Sequence, residues 1–459
     1  MNFKKKKINR RGFLKNTLTI GGGALAVSQA DFMTNLVMAQ SNNQDAPKRH
    51  YIFCYFGGGW DVLLSLDPRD PRAFPSTEEN LRRTQIQPAY EQQTRPDADV
   101  VRSREGHLFG PYMGELLRHS DKLAVVRGMN METLSHASGR RRFLTGKAPS
   151  GSLARGSNGA TWLASHLGKD NLVPNLSLRV ESYNRDQPNY ATALRVSTVP
   201  DLLRALRPAD PLLDPLLGRQ VDASLKALSN CPDAKLSRAW QKAEYARIQS
   251  ENLVKGSLSG YFDFTARNDL MDPLRARYQF NRLDNSPAVS AALATQAIIS
   301  GVSRCVTVNL VGGLDSHSGT AWQQDHGVRQ ETGFTAVARM VDELASHQYD
   351  AESTWLDHTI IVGFSEFSRT PMLNLSGGRD HHLTNSCFLI GGSVRGGQVI
   401  GGSSDVAMQS VNVNTRTGRV DPNGEVIRPE HVLRSLYDEV GIGSEPDLRV
   451  GPLDTLLHG

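Results

Sequence analysis

Acidic and imidazole side chains follow the most apolar runs of this sequence, at the points where β-strands are predicted to end. Ligands of an open α/β sheet bind beyond the carboxyl ends of its strands, so side chains there are candidates for chemistry. In chain order they are Asp61 after the run 51–56, Asp315 and His317 after the run 304–311, and Glu366 after the run 359–364. We expect them to share one edge of a sheet.

A second group, Asp380, His381 and His382, comes just before the apolar run 386–390. Carboxylate oxygens and imidazole nitrogens in this mixture suit Zn²⁺, Mn²⁺ or Mg²⁺ better than a metal that prefers thiolates. The predicted metal ligands are therefore Asp61, Asp315, His317, Glu366, Asp380, His381 and His382.

Each of these residues also has a structural interpretation. Asp61 could cap a turn and Asp315 could form an Asx-turn. Glu366 could pair with a nearby arginine on the surface, and His381 with His382 could form a solvated loop pair. The recurrence of such residues at strand ends favours the site.

The segment 133–146 contains a possible nucleophile. It is predicted to form a helix that ends at Gly146, with Ser135 near the N-terminus, where backbone N–H groups favour anions. In one interpretation Ser135 is a metal-activated nucleophile, and the arginines at 140–142 bind phosphate or sulfate. In the other, Ser135 is an N-cap and the arginines form a solvated face.

The surrounding pattern predicts the fold that positions these residues. Continuous apolar strands suit a parallel sheet covered on both faces, and the segment 330–347 has its apolar residues at helical spacing. We therefore predict an α/β fold with a doubly wound, mostly parallel sheet. The charged, leucine-rich stretch from about 200 to 285 is predicted to be a helical insertion. The clearest strands are 51–56, 123–127, 304–311, 359–364 and 386–390.

The N-terminal residues 1–39 have the order of a twin-arginine signal peptide. A lysine run precedes Arg10-Arg11, Phe13-Leu14-Lys15 follows, and the apolar stretch after it is short and diluted by glycines. We expect cleavage near Ala39, passage through the twin-arginine translocon in the folded state, and a periplasmic mature domain over 48–459.

Charge and cysteine content limit the partners. The leader carries seven of the 52 Lys and Arg and one of the 47 Asp and Glu, which leaves 45 basic and 46 acidic residues. This near-neutral balance gives no reason to expect nucleic acid binding, and no later run suggests a permanent membrane span. Cys54, Cys305 and Cys387 lie in predicted strands, where buried thiols are common, so we expect no essential disulfide.

Several motifs resemble one bacterial family, domain of unknown function 1501, which is similar to the alkaline phosphatase and sulfatase superfamily. They are Gly57-Gly58 with Asp61, Ser135-His136 with Phe143-Leu144-Thr145-Gly146, Gly313 to His317, Ser365-Glu366-Phe367 with Arg369-Thr370-Pro371, and Gly377-Gly378 with Asp380-His381. The resemblance covers nearly all of the mature chain and implies a doubly wound sheet with a two-metal site for phosphate or sulfate ester hydrolysis.

The resemblance also implies roles for single residues. Asp61, Asp315 with His317, Glu366, and His381 or His382 match ligand positions, and Ser135 matches the nucleophile; Arg140 and Arg369 are the expected substrate-binding arginines. Phe367 stands where the superfamily has a ligating histidine, and Asp380 or the extra histidine could compensate.

Two functions follow from these observations. The first is a periplasmic metal-dependent hydrolase of anionic phosphate or sulfate esters. The second is a non-catalytic binding or assembly protein that keeps the fold with a degenerate metal site.

Overall fold

The computed structural model describes residues 49–95, 97–148, 153–206, 215–232, 240 and 258–458, so the predicted leader lies outside the described residues. The chain divides into two compact units. Of the described residues, one unit contains those within 197–271, and the other contains those within 49–196 and 272–458.

The described secondary structure consists of short and long strands alternating with helices. The strands are β1 His50–Phe56, β2 Val101–Arg102, β3 Leu108–Phe109, β4 Leu123–Asn130, β5 Asn175–Leu178, β6 Leu194–Val196, β7 Cys305–Val311, β8 Thr359–Phe364, β9 Ser368–Arg369, β10 His381–His382, β11 Thr384–Ile390, β12 Gln398–Gly401, β13 Asn412–Val413 and β14 Glu425–Val426. The α-helices are α1 Glu78–Thr84, α2 His136–Thr145, α3 Gly159–Leu167, α4 Val199–Leu206, α5 Pro215–Ser229, α6 Met271–Tyr278, α7 Pro287–Ile299, α8 Gly327–Ser346 and α9 Pro429–Glu439. Single 3₁₀ turns cover Tyr90–Gln92, Asn189–Ala191, Leu258–Tyr261 and Trp355–His358, and a longer 3₁₀ segment with a kink at His119 covers Gly114–Lys122. A π-helical turn, Ala321–His326, leads into α8.

Eight strands form the central sheet in the order β12-β4-β11-β8-β1-β7-β5-β6. β1 lies between β7 and β8 and is parallel to both, with Tyr51 beside Cys305 and Ile360. β11 alone among the eight runs antiparallel to its neighbours β8 and β4. The prediction of a mostly parallel α/β sheet is confirmed, and the reversal of β11 places its beginning at the edge where β1, β7 and β8 end.

The sheet is covered on both faces, as a doubly wound fold requires. Tyr51, Phe53 and Tyr55 of β1 belong to an apolar cluster with buried residues of α2, α3 and α9. On the other face, Phe56 lies with its ring centroid 5.0 Å from that of Phe334 in α8. Cys54 Sγ approaches Met340 Sδ of the same helix to 3.9 Å. β1 is therefore buried along its whole length.

The sequence explains the two helices that cover this second face. α7 begins at a Ser286 cap, whose side chain accepts a hydrogen bond from Val289 N, and it has Pro287 in its first turn. α8 buries the apolar stripe predicted from its spacing: Phe334, Val337, Met340, Val341 and Leu344 are all at most 1% exposed.

The described part of the smaller unit is helical, with α4, α5 and the turn at Leu258–Tyr261. This unit extends to residue 271, and nearly all of α6 belongs to the sheet unit. Cys54, Cys305 and Cys387 are buried within the sheet. Among the described residues, no helix combines the length and the apolar character needed to cross a bilayer.

Candidate metal centre

The candidate centre lies where β1, β7 and β8 end and β11 begins. Gly58, which follows β1, has a φ of +114°, and a Cβ at this position would lie 2.6 Å from Asp315 N. Only glycine permits so close an approach in this conformation. The turn after β1 can therefore pack directly on the loop that carries Asp315.

Three imidazoles surround the Asp315 carboxylate. Its Oδ1 lies 3.1 Å from His317 Nε2 and 3.5 Å from His381 Nε2, and its Oδ2 lies 3.4 Å from His136 Nε2. The Nε2 atoms of His317 and His381 are 3.0 Å apart. His136, Asp315 and His381 each offer one donor atom within 4.8 Å of the others, a spacing that could hold a metal ion.

The other nitrogen of each imidazole is held by an acceptor. His136 Nδ1 lies 2.8 Å from Glu366 Oε1, and His317 Nδ1 lies 2.7 Å from Asp380 Oδ1. His381 Nδ1 lies 2.7 Å from the carbonyl oxygen of Leu134. Such contacts orient metal-binding histidines, and here they turn the three Nε2 atoms toward the Asp315 carboxylate.

Glu366 contacts the cluster through His136, at the ring nitrogen that does not face Asp315. Its carboxylate is buried and accepts hydrogen bonds from Gly58 N at 2.9 Å and Ser365 Oγ at 2.9 Å. Burial works to raise the pKa of Glu366, but the contact with His136 and the other hydrogen bonds hold it below its ordinary value. Glu366 is therefore an anion beside His136. Its oxygens face His136 Nδ1 and the turn after β1 rather than the Nε2 atoms of the cluster.

Arg369 joins three loops at the same edge. Its guanidinium is fully buried and donates to Asp315 Oδ1 at 2.7 Å, to Gly59 O at 3.0 Å, to Gly58 O, and to Arg379 O at 3.1 Å. Partial burial works to raise the pKa of Asp315, and Arg369 lowers it below the ordinary value. With its donors occupied by the protein, Arg369 is corrected from a substrate-binding residue to a structural one.

Residues 48–418 match the family described as "Protein of unknown function (DUF1501)". The chain belongs to this family. No curated protein matches it.

Three solved structures align along most of the chain at low identity. A protein in the alkaline phosphatase superfamily from Vibrio parahaemolyticus is 10% identical, with 94% of this chain and 80% of that chain covered and a TM-score of 0.35. Ps i-CgsB, solved with k-i-k-neocarrahexaose, is 9% identical, with 89% and 75% covered and a TM-score of 0.35. The PsFucS1 sulfatase from Pseudoalteromonas sp. is 10% identical, with 91% and 77% covered and a TM-score of 0.29.

Asp61 lies apart from the cluster, in a buried ion pair. Its Oδ2 is 3.1 Å from Arg379 Nε and accepts from Trp322 Nε1 at 2.8 Å, while Oδ1 accepts from Leu63 N at 2.9 Å. Both oxygens are thus engaged and no part of the side chain is exposed. The prediction that Asp61 is a metal ligand is corrected: the residue stabilises the loop after β1 and neutralises Arg379.

The two histidines of β10 face different surroundings because successive side chains of a strand point to opposite sides. His381 faces the cluster, whereas His382 Nδ1 contacts the backbone of Thr384. Burial lowers the pKa of both imidazoles. Of the two predicted ligands, His381 lies in the cluster, whereas His382 lies outside it.

His136 is the ligand candidate that the sequence interpretation missed. It begins α2 directly after Ser135, and a histidine at the start of a helix that follows a strand of the main sheet is the signal that could have identified it. Ser135 is exposed at the N-cap, but its side chain makes no capping hydrogen bond in the described structure. Arg140, one helical turn after His136, contacts Glu181 and the hydroxyl of Tyr55 and keeps 25% of its side chain exposed.

Proposed function

We propose that this protein is a periplasmic metal-dependent hydrolase of phosphate or sulfate esters. The observation that carries the proposal is the convergence of three anchored imidazoles on one carboxylate. The Nε2 atoms of His136, His317 and His381 meet around the Asp315 carboxylate at an exposed edge, while the other nitrogen of each ring is held by a second acceptor.

The donor set fits a divalent cation. Ligand bonds of about 2.0–2.1 Å place the donors of a tetrahedral site roughly 3.3 Å apart. The contacts among Asp315, His317 and His381 and the contact from Asp315 to His136 are 3.0 to 3.5 Å. Several imidazoles with one carboxylate favour Zn²⁺ over Mg²⁺, which prefers oxygen donors. A bound ion would supply a Lewis acid for an anionic ester oxygen.

Ser135 is the proposed nucleophile. It lies between Leu134, whose carbonyl oxygen anchors His381, and His136, so its backbone is fixed on both sides by the cluster. Its hydroxyl is exposed and makes no capping bond among the described contacts. Attack by Oγ on phosphorus or sulfur would form a seryl ester while the bridging oxygen leaves as an alcohol, and water would then cleave the seryl ester.

Arg140 is the proposed contact for the anionic group of the substrate. It lies four residues after His136 on α2, and residues at this spacing share a helix face. Its partly exposed guanidinium would position a phosphate or sulfate oxygen by charge-assisted hydrogen bonds.

The test combines metal analysis with an ester panel. Protein purified without chelator should contain close to one divalent ion per chain and should hydrolyse p-nitrophenyl phosphate or sulfate. Ser135→Ala should keep the metal and lose turnover, whereas Ser138→Ala, on the same helix, should keep both. Full activity of Ser135→Ala would remove the nucleophile assignment.

One observation favours the binding-protein alternative. The buried ring of Phe367 packs on the imidazoles of His381 and His136, with centroids 4.1 and 4.8 Å apart, where a polar side chain could have served the chemistry. If the protein binds metal stoichiometrically but no ester is turned over, a binding or assembly role replaces hydrolysis.

The periplasmic part of the proposal is supported by the order of signals in residues 1–39. Twin-arginine export carries folded proteins, which suits a domain that must assemble a metal centre from loops far apart in sequence. The translocon would then be a transient partner.

A further inference from the structure

We propose that Glu366 is a positioning residue that prepares His136 to bind the ion, and that it never contacts the ion itself. This inference rests on the proposed metal site and gives a role to the buried Glu366 carboxylate next to it.

The hydrogen bonds of Glu366 determine the tautomer of His136. Oε1 accepts from Gly58 N at 2.9 Å, and this backbone group can only donate. The same oxygen lies 2.8 Å from His136 Nδ1, so the imidazole must place its proton on Nδ1 to make the contact. In the neutral imidazole that binds metals, this tautomer leaves the lone pair on Nε2, the nitrogen that faces Asp315.

Glu366 is itself held in place by its surroundings. Ser365 Oγ is 2.9 Å from Oε2 and also accepts from Trp60 N at 3.2 Å. A Cβ at Gly139 of α2 would lie 2.2 Å from Glu366 O, so the helix that carries His136 packs against the Glu366 backbone without slack. The contact between the two side chains is fixed by both elements.

A second histidine with a carboxylate partner provides an internal control. His317 contacts Asp380 in the same way, but these side chains are 47% and 53% exposed, whereas Glu366 is 1% exposed. Water can replace Asp380 as the acceptor for His317 Nδ1. It cannot replace Glu366 without opening the packing between α2 and the loop after β8.

Glu366→Gln removes the charge and keeps the shape. The amide oxygen can replace Oε1 and accept from Gly58 and His136, and the amide nitrogen can donate to Ser365 Oγ, which then donates to Phe56 O at 2.6 Å. The variant should therefore fold. The neutral amide supports the imidazole less strongly, and loss of such partners typically weakens metal affinity roughly 10- to 100-fold.

The experiment measures Zn²⁺ affinity against a chromophoric chelator and the visible spectrum of the Co²⁺ form, for the full mature chain. Glu366→Gln should bind Zn²⁺ about tenfold or more weakly, with an unchanged pattern of Co²⁺ bands because no ligand is lost. Asp380→Asn should weaken binding less. In a His136→Ala background, Glu366→Gln should have no further effect, since Glu366 acts through His136.

The possible results separate the inference from the function on which it rests. Failure of the wild-type chain to bind Zn²⁺ or Co²⁺ would remove the proposed metal function. Wild-type binding with an unaffected Glu366→Gln variant would overturn the positioning role alone. A changed Co²⁺ spectrum in Glu366→Gln, or an undiminished effect without His136, would show that Glu366 acts as a ligand or as a general structural support.

Discussion

Acidification should destabilise the sheet unit through His326, which ends the π-helical turn before α8. The imidazole is fully buried; Nε2 accepts a hydrogen bond from Asp61 N at 3.0 Å, and Nδ1 lies 2.6 Å from Ser316 Oγ. A proton on Nε2 would remove the acceptor that Asp61 N requires. Since Ser316 stands between two candidate ligands, this contact also holds the ligand loop.

The magnitude follows from the pKa of His326. Burial, reinforced by the charges of Arg369 and Arg379 and opposed by that of Asp61, lowers this pKa from 6.5 to about 4. The unfolded chain therefore takes up this proton near pH 6.5, whereas the folded chain takes it up only near pH 4. Neutral His326 contributes its full stabilisation of the folded state above the pKa of the unfolded chain. This contribution to the free energy of unfolding is lost as the pH falls to the pKa of the folded chain, and the loss is about 3 kcal/mol.

Urea unfolding of wild type and His326→Gln, each at about pH 7 and about pH 4, isolates this contribution. The glutamine oxygen can accept from Asp61 N and does not titrate. The wild type should lose about 3 kcal/mol more than the variant between the two pH values. Equal losses of unfolding free energy in both proteins would refute the assignment of a neutral, buried His326.

Three further changes test other parts of the structure. Asp61→Ala should cost roughly 3–5 kcal/mol in urea unfolding, because it leaves a buried guanidinium unpaired; a loss within about 1 kcal/mol would contradict the buried ion pair. Gly139→Ala should destabilise by about 1–3 kcal/mol despite the better helix propensity of alanine, because the new Cβ meets Glu366 O; a more stable variant would argue against this close packing. Replacing Arg10 and Arg11 with lysine should keep the precursor in the cytoplasmic fraction, and normal periplasmic accumulation would count against the predicted export route.

The direction of β11 is one feature of the site that the sequence did not predict. Loops that follow parallel strands meet at one edge of the sheet. The sequence placed Asp315 after a strand of this kind, and in the structure it follows β7. The segment before β11 should lie at the opposite edge if β11 were parallel. It reaches the site because β11 is antiparallel, a reversal that no local pattern within Thr384–Ile390 encodes.

The orientation of single carboxylates was a second limit. Asp61 and Glu366 follow strand ends as ligands would, yet one pairs with Arg379 and the other with His136 Nδ1. In each of these pairs the two residues are more than 200 positions apart in the sequence. Long-range packing decides which buried charges pair with each other. The residue types therefore predicted a group of candidate ligands, but not which of them face one another.

By itself, the sequence determined the elements of this protein. Continuous apolar runs require strands buried on both faces, and the stripe of α8 requires a helix packed on one of them, because apolar spacing is a local property of the chain. Only the tertiary structure decided that His136 belongs to the cluster and that Asp61 does not. His136 and Asp61 have these roles because His136 reaches Glu366 and Asp61 reaches Arg379 through long-range packing. A buried charge without a partner is costly, so each of these buried carboxylates is paired.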